Sequence, residues 1–199
     1  MRTKAYLPVI LALVFGSFAS CKSDKEKNSE VQNSNKLYTH QFRKKLEAIN
    51  PGMNDPSAII QLLEMTGAEF IPGLINDGGM DSIYLKDSVL SAANMGIYTV
   101  DLVYLIAYGK DEQVDKQLAR ARALSENIGA GYLYDYAMYK RYRTTGVHPD
   151  TLIRYLSKAA EEMEHDYGEM GLLRLSTLFA VGEFIEKLHL TTQMLIHAD

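Results

Sequence analysis

The sequence contains one cysteine, no tryptophan and few prolines, and each shortage narrows what the chain can be. With Cys21 as the single cysteine, no disulfide can form within the chain. With 5 prolines in 199 residues, long helices are seldom interrupted. A surplus of positive charge is also missing, because the formal net charge is -4. That balance disfavours nucleic acid as a partner, since binding to phosphates needs a basic face.

Signatures of familiar chemistry are missing as well. The sequence has no glycine-rich phosphate loop, no serine-centred nucleophile elbow and no cluster of cysteines and histidines with metal-ligand spacing. The lone cysteine ends an apolar run near the amino terminus and offers no usable nucleophile. These shortages favour a non-enzymatic protein that holds neither a cofactor nor a metal.

What is present begins with an apolar run over residues 7–21. Residues 1–4 give it a short cationic start, and the apolar part, from about Ala5 to Phe18, is too short for a stable membrane-spanning helix. This pattern is typical of a secretory signal, and we expect a signal peptide over residues 1–20.

The run ends in Phe18-Ala19-Ser20-Cys21, which resembles the lipobox of bacterial lipoproteins, with small residues before an obligatory cysteine. The resemblance implies that the chain is cut before Cys21, that its sulfur carries a diacylglycerol and that the new amine is acylated. Acyl chains contribute about 0.8 kcal/mol per buried methylene, so such an anchor holds a protein on its membrane. Two alternatives stay open: secretion without a lipid, because residues 17–19 also suit a signal peptidase, and an uncleaved anchor.

Residues 21–36 are polar, mixed in charge and nearly free of apolar side chains, which predicts a lipidated flexible tether. Lipoproteins kept at the inner membrane often resemble a Cys-Asp pattern, with aspartate directly after the anchored cysteine. In this chain that position is Lys22. Its presence favours the outer membrane, and Asp24 with Glu26 resembles an acidic patch that directs some lipoproteins to the cell surface. We therefore expect an envelope protein of the outer membrane, on its periplasmic or outer face.

Residues 37–199 are expected to form a single all-α domain, a helical bundle or a stack of helical hairpins with six to seven helices. The stretches 85–108 and 172–196 are apolar on nearly every side, as helices in the centre of a bundle are. Amphipathic stretches predict the other helices, at residues 38–49, 55–66, 111–128, 132–143 and 151–167. Residues 68–84 form the longest irregular connection.

Local signals mark several of the helix ends. Gly67, Gly109 and Gly129 follow apolar stretches, where a left-handed glycine commonly stops a helix. Asp150 is expected to cap the helix that follows it.

A weak internal echo suggests tetratricopeptide-like hairpins. Small and apolar residues of one stretch recur about 39 residues later in a second stretch. Val114, Ala121, Leu124 and Gly129 correspond to Ile153, Ala160, Met163 and Gly168. The tryptophan, glycine and proline signature of those repeats is missing, so one echo does not establish an array.

A second resemblance covers most of the chain after the tether. Its pattern is carried by eight residues of the stretch 85–108: Asn94, Met95, Gly96, Ile97, Tyr98, Asp101, Leu102 and Tyr104. In this pattern the chain is similar to a group of uncharacterised bacterial lipoproteins. The resemblance implies an all-helical fold but does not indicate an activity. Because those proteins run on further, we expect that this chain is truncated at its carboxyl end.

Polar side chains on the two central stretches are the candidates for chemistry. Asp101 lies in the most apolar stretch, so its carboxyl group must be hydrogen-bonded, paired or protonated. We expect a tyrosine or serine hydroxyl, or a helix N-terminus, to satisfy it, with Asn94 in a similar role. The functional alternative is a perturbed acid or metal ligand, whose partners come from Glu183, Glu186 and His189.

Two Glu-x-x-His strings, at 162–165 and 186–189, share the spacing that di-iron bundles use. Placing Leu152 and Leu156 inward turns His165 towards solvent, so we expect isolated residues rather than a metal centre.

Tyr132, Tyr136 and Tyr139 fall on one face of the predicted helix at 132–143. Such a stripe can stack on a sugar or anchor a partner protein, because tyrosine combines apolar area with a polar tip. The alternative is packing against the next helix.

These observations favour a lipid-anchored helical domain that binds another envelope protein or a glycan. The alternative is an envelope enzyme or metal-binding protein that uses Asp101 with Glu183 or Glu186 and His189. A structural spacer is the third hypothesis.

Overall fold

The computed structural model describes Gln41, residues 57–134, Thr144, residues 148–169 and residues 172–198. All of them lie in one compact unit, Tyr38–Asp199. Every regular element among these residues is a helix, which confirms the predicted all-α class and helical bundle. The predicted signal peptide, Cys21 and the tether lie outside the described residues.

Six α-helices occur in the described ranges: α1 Ser57–Thr66, α2 Asp81–Tyr84, α3 Ser88–Ala107, α4 Asp111–Asn127, α5 Pro149–Glu169 and α6 Leu173–Ile196. Two short 3-10 helices, Pro72–Leu74 and Gly131–Leu133, lie in the connections. The predicted bounds of α3, α4, α5 and α6 agree with these within three residues. The predicted helix at 38–49 lies outside the described residues except for Gln41, which is helical.

The ends of α3 show how local chemistry sets its length. Asp87 caps the first turn, because its side chain accepts hydrogen bonds from the backbone N–H groups of Val89 at 2.7 Å and Leu90 at 3.1 Å. At the other end Gly109 has a φ of +63°. The next amide, that of Lys110, donates to the Leu105 carbonyl at 2.9 Å, which completes a Schellman motif.

Helix α3 forms the centre of the bundle. It packs most extensively along α6 and next along α4. Asp101 meets Gln117 and Ser91 meets Asn127, so α3 and α4 form an antiparallel hairpin. By length and composition α3 is the one described helix that could cross a membrane, but 72% of its apolar window is buried inside the protein. That burial is what the sequence predicts for a core helix.

Helices α3 and α6 cross at two glycines. A Cβ atom on Gly96 would overlap the carbonyl oxygen of Phe179 and would lie 2.9 Å from the Glu183 amide nitrogen. A Cβ atom on Gly182 would overlap the carbonyl oxygen of Ala93 in the same way. The two backbones are therefore in direct contact, which only glycine allows on both sides.

Four local predictions differ from the structure. Residues 68–84, expected to be irregular, contain the 3-10 helix Pro72–Leu74 and helix α2. Residues 131–133 form a 3-10 helix and Tyr134 follows as a bend, so no α-helix begins at Tyr132. Helix α5 begins at Pro149, whose missing N–H is no loss in a first turn, so Asp150 lies inside the helix rather than capping it. The internal echo also breaks, since Gly129 ends α4 with a φ of +79° whereas Gly168 lies within α5.

Candidate functional site

A row of polar side chains runs along one face of the otherwise apolar helix α3. Its members recur at intervals of three, three and four residues, which places them on one face. We call Tyr98, Asp101, Tyr104 and Tyr108 the polar row. Each member bonds to the segment that joins α1 to α3. This segment runs antiparallel to α3, so its first residues meet the C-terminal end of α3. Asp101, Tyr104 and Tyr108 therefore fasten residues 68–80, here called the connection, along the central helix. Tyr98 fastens the start of α2, which follows the connection.

Two tyrosines hold the start of the connection. The Tyr108 hydroxyl donates to the carbonyl of Ala68 at 2.7 Å, and the Tyr104 hydroxyl accepts from the Ile71 amide at 3.0 Å. The Phe70 ring packs on both, with centroids 5.5 Å from Tyr104 and 5.4 Å from Tyr108. The same two tyrosines thus make both the hydrogen bonds and the aromatic contacts that hold this end of the chain.

Asp101 holds the middle of the connection. Its Oδ2 accepts from the backbone N of Asn76 at 3.2 Å, from Nδ2 of Asn76 at 3.1 Å and from Nε2 of Gln117 at 2.8 Å. Hydrogen bonds to a charged acceptor are about twice as strong as neutral ones, so the three donors favour an ionised Asp101. The partners are an exposed loop residue and a glutamine of α4, not the hydroxyl or helix N-terminus that we expected.

Arg120 of α4 ties this network to α2. Its Nη1 donates to the Asn76 carbonyl at 3.3 Å and to Oε1 of Gln117 at 3.1 Å. Its Nε lies 3.4 Å from Oδ2 of Asp81, whose other oxygen accepts from the Tyr98 hydroxyl. The amide of Gln117 is thereby oriented, with its oxygen towards Arg120 and its nitrogen towards Asp101.

Glu186 of α6 completes the site beside Asp101. The Glu186 carboxyl group lies beside that of Asp101 and interacts with it electrostatically, so the fold brings these two acids together. Asp101 is fully buried and Glu186 is 6% exposed. Oδ1 of Asp101 and Oε1 of Glu186 are buried and have no hydrogen-bond partner in the structure.

Burial raises the pKa of both acids because water no longer solvates their charged forms. For Asp101 the donors on Asn76 oppose this rise. For Glu186 the neighbouring charge of Asp101 adds to it, so the pKa of Glu186 is raised further. The pair therefore titrates as a unit that retains one proton near neutral pH. The donors from Asn76 and Gln117 favour Asp101 as its charged member.

The other predicted members of this site lie elsewhere. Asn94 is half-buried, and its side chain donates to the Leu90 carbonyl of its own helix at 2.9 Å. Glu183 is half-buried one turn before Glu186, where its charge acts on buried Tyr134. His189 is exposed. The structure thus brings together Asp101 and Glu186 from the predicted set, and it supplies Asn76, Gln117 and Arg120 in addition.

The two Glu-x-x-His strings do not form a metal site within the described part of the chain. Glu162 and His165 are exposed on α5, where Glu162 pairs with Lys158 at 3.4 Å. Among the residues that the structure describes, no three His, Cys, Asp or Glu side chains are grouped closely enough to hold a metal ion.

The predicted tyrosine surface is described at one of its three residues. Tyr132 is 49% exposed, and its hydroxyl donates to Oδ2 of Asp166 at 2.7 Å. Tyr136 and Tyr139 lie outside the described residues. The neighbouring Tyr134 is buried against Thr99, with which its hydroxyl shares a hydrogen bond.

An exposed apolar stripe on α6 was not anticipated from the sequence. Four side chains of this helix are each more than half exposed: Ile185, Leu188, Leu195 and Ile196. We call them the α6 stripe. The positions 185, 188, 192 and 195 follow intervals of three, four and three, with Thr192 as the one polar member. Because α6 is apolar almost all round, its sequence pattern alone did not distinguish a buried face from an exposed one.

Comparison with known proteins adds no relationship to this geometry. No protein-family model, curated protein or solved structure gives a significant match to the chain.

Proposed function

We propose that the protein is a lipid-anchored, non-enzymatic interaction domain of the bacterial cell envelope, which docks another envelope protein through the α6 stripe. The stripe is the single observation that carries the proposal. Large apolar side chains grouped on an exposed helix face are typical of interaction surfaces, whereas single exposed ones need no explanation.

The chemistry of the stripe favours a protein over a glycan. Ile185, Leu188, Leu195 and Ile196 offer no hydrogen-bond donors or acceptors and no aromatic ring for a sugar to stack on. Tyr132, the predicted sugar-stacking residue, has its hydroxyl engaged by Asp166. A partner therefore needs a matching apolar surface.

The size of the stripe favours a groove on that partner. From Ile185 to Ile196 the helix rises about 16 Å, and its width with side chains is about 10 Å. Two such stripes side by side bury much less than the roughly 800 Å² per partner of a stable interface. A groove that wraps around α6 buries more of the helix, as in other complexes where an apolar helix face fills a groove.

The anchor is supported by the pattern of residues 18–21 and by the polar residues 21–36 that follow it. At roughly 3.3 Å per extended residue, a tether of that length reaches about 50 Å from the membrane. A domain on such a tether can meet a partner in the same membrane without binding lipid itself.

Two experiments test the proposal. Cells fed an alkyne-labelled fatty acid should label the wild-type protein but not Cys21→Ser, and a bare Cys21 in the mass spectrum of the mature protein would rule out the anchor. For docking, a photo-crosslinking amino acid at position 188 should capture one defined envelope protein in intact cells. The same amino acid at exposed Arg174, on the same helix, is the matched control.

The capture should disappear when Leu195→Glu places a charge in the stripe, while the helical circular dichroism stays unchanged. Capture of a second copy of this chain, or equal capture from positions 174 and 188, would contradict the proposed partner.

A further inference from the structure

The four anchors of the polar row differ in how they respond to pH. Three are tyrosine hydroxyls that stay neutral, since burial raises the pKa of Tyr108 to about 12 and also raises those of Tyr98 and Tyr104. The fourth is the carboxyl group of Asp101, with Glu186 behind it. Any response of the connection to pH in the neutral range therefore begins at this pair.

Asp101 and Glu186 can satisfy each other's unpartnered oxygens only if they share a proton. Two carboxylates are both acceptors, so they cannot bond to each other unless one of them is protonated. A proton between Asp101 and Glu186 gives a partner to both of the buried oxygens that otherwise have none. No divalent cation is needed, and the donors that point at Asp101 from Asn76 and Gln117 suit an anion rather than a metal ion.

We infer that Asp101 and Glu186 form a proton-binding site that latches the connection onto the bundle, held closed while one proton is shared and loosened when that proton leaves. This role goes beyond the proposed docking function and does not depend on it. The proton passes to solvent, and two adjacent carboxylates remain in a buried site. Such a pair repels itself and must regain hydration.

The connection is the element free to move. Helices α3 and α6 are in backbone contact at Gly96 and Gly182, so they cannot separate locally without losing their crossing. The connection is held by hydrogen bonds to side chains of the polar row, and Asn76, which covers the pair, is exposed. Lifting Asn76 is thus the shortest route by which water can reach both acids.

The surrounding charges do not replace the proton. Arg120 of α4 lowers the pKa of Asp101 but is shared with Asp81 of α2. Besides burial, the groups that act on Glu186 are Asp101 and Asn76.

Among the residues that the structure describes, Arg120 is the cation that acts on the pair, and buried Lys187 on α6 is not among the groups that shift the pKa of either acid. Asp77 of the connection bonds to the Gly79 amide, and α1 contributes apolar Ile59 and Leu62 to the core. On α6 itself Glu183 acts on Tyr134, and the basic side chains of Arg154 and Lys158 on α5 are exposed.

Hydrogen exchange measured by mass spectrometry on the full chain tests the latch. Protection of peptides from residues 68–80, corrected for the intrinsic effect of pH, is compared at pH 7 and pH 9. Glu186→Gln retains an N–H donor towards Asp101 but cannot ionise. Glu162→Gln removes an exposed acid instead and is the matched control.

In the wild type and in Glu162→Gln, protection of residues 68–80 should fall about tenfold between these pH values. The reason is that the higher pH lies one pH unit above the pKa of the Glu186 carboxyl group, which has then lost its proton. In Glu186→Gln the protection of residues 68–80 should change less than about twofold, because the side chain at position 186 can no longer ionise. Unchanged protection in the wild type, the same loss in Glu186→Gln, or an equal loss in every helix would overturn the inference.

A measurement on the wild type alone covers the case in which a variant fails to fold. Infrared spectra should show the C=O stretch of a protonated buried carboxyl group at pH 7, and this band should disappear as the pH rises to about 10. Its absence at pH 7 would show that no proton is shared.

Discussion

Gly96→Ala tests the contact on which the packing of α3 against α6 depends. The added methyl group would point at the backbone of α6, where it would lie 2.9 Å from the Glu183 nitrogen and 3.0 Å from the Phe179 carbonyl carbon. It would also overlap the Phe179 carbonyl oxygen. These are main-chain atoms of a helix, so no side chain can turn away to make room.

The expected cost follows from two opposing effects. Alanine favours a helix over glycine by about 1 kcal/mol, which would stabilise α3. Overpacking a core typically costs 1–3 kcal/mol and more where the neighbours are rigid, because the helices must move apart and lose contacts along their length. Because the atoms in the way are main-chain atoms, the cost lies at the upper end, about 3–4 kcal/mol, and the expected net loss is about 2–3 kcal/mol. This corresponds to a fall in Tm of roughly 5–10 °C for a chain of this size.

Urea and thermal unfolding followed by circular dichroism measure this loss. Gly73→Ala is the control, because a Cβ atom there meets nothing within 4 Å and its backbone does not require glycine. Its stability should change by less than about 0.5 kcal/mol. The double variant Gly96→Ala with Gly182→Ala should lose less than the sum of the two single losses, because the first methyl group already separates the helices.

Equal stability of Gly96→Ala and the wild type would refute the close crossing. So would strict additivity of the two glycine substitutions.

Three further outcomes follow from the caps, the polar row and the acid pair. Tyr108→Phe leaves the buried carbonyl of Ala68 without its donor and should cost about 1–3 kcal/mol in urea unfolding; no loss would mean that water replaces the hydroxyl. Gly109→Ala places a side chain at a φ of +63° and should cost about 1 kcal/mol, whereas a gain would contradict the left-handed cap. Burial and Asp101 raise the pKa of Glu186 to about 8 from 4.5, so its contribution to stability is complete below about pH 4.5 and is lost as the pH rises through 8. Glu186→Gln should therefore gain on the wild type by up to about 1.4 kcal/mol per pH unit between pH 5 and 8, and a constant difference across urea titrations would refute the shared proton.

The positions of the helices could be predicted because their signals are local. The left-handed glycines at 109 and 129 end α3 and α4 where the sequence places those ends. The apolar stretch of α3 also predicted a core helix, since no surface helix tolerates apolar side chains on every face. Where local signals were ambiguous, as at Tyr132 and Asp150, the predicted helix starts were wrong.

The candidate site could be predicted in part. Asp101 was identified because an acid in an apolar helix must have partners, and Glu186 was among the candidates. Asn76, Gln117 and Arg120 were missed, since polar residues in a loop or on an amphipathic helix are ordinary in sequence. The spacing of Tyr98, Asp101, Tyr104 and Tyr108 was the available signal, because it marks one polar face on a buried helix.

The sequence by itself determined that the chain is helical, where most helices end and which two of them are apolar throughout, because propensity, capping and periodicity act over a few residues. Only the tertiary structure decided that Asp101 meets Glu186, that Gly96 meets α6 and that Leu188 faces outward. The physical reason is that a helix apolar on all sides carries no preferred face. Its orientation is fixed only when its neighbours pack against it, and that packing joins residues far apart in the chain.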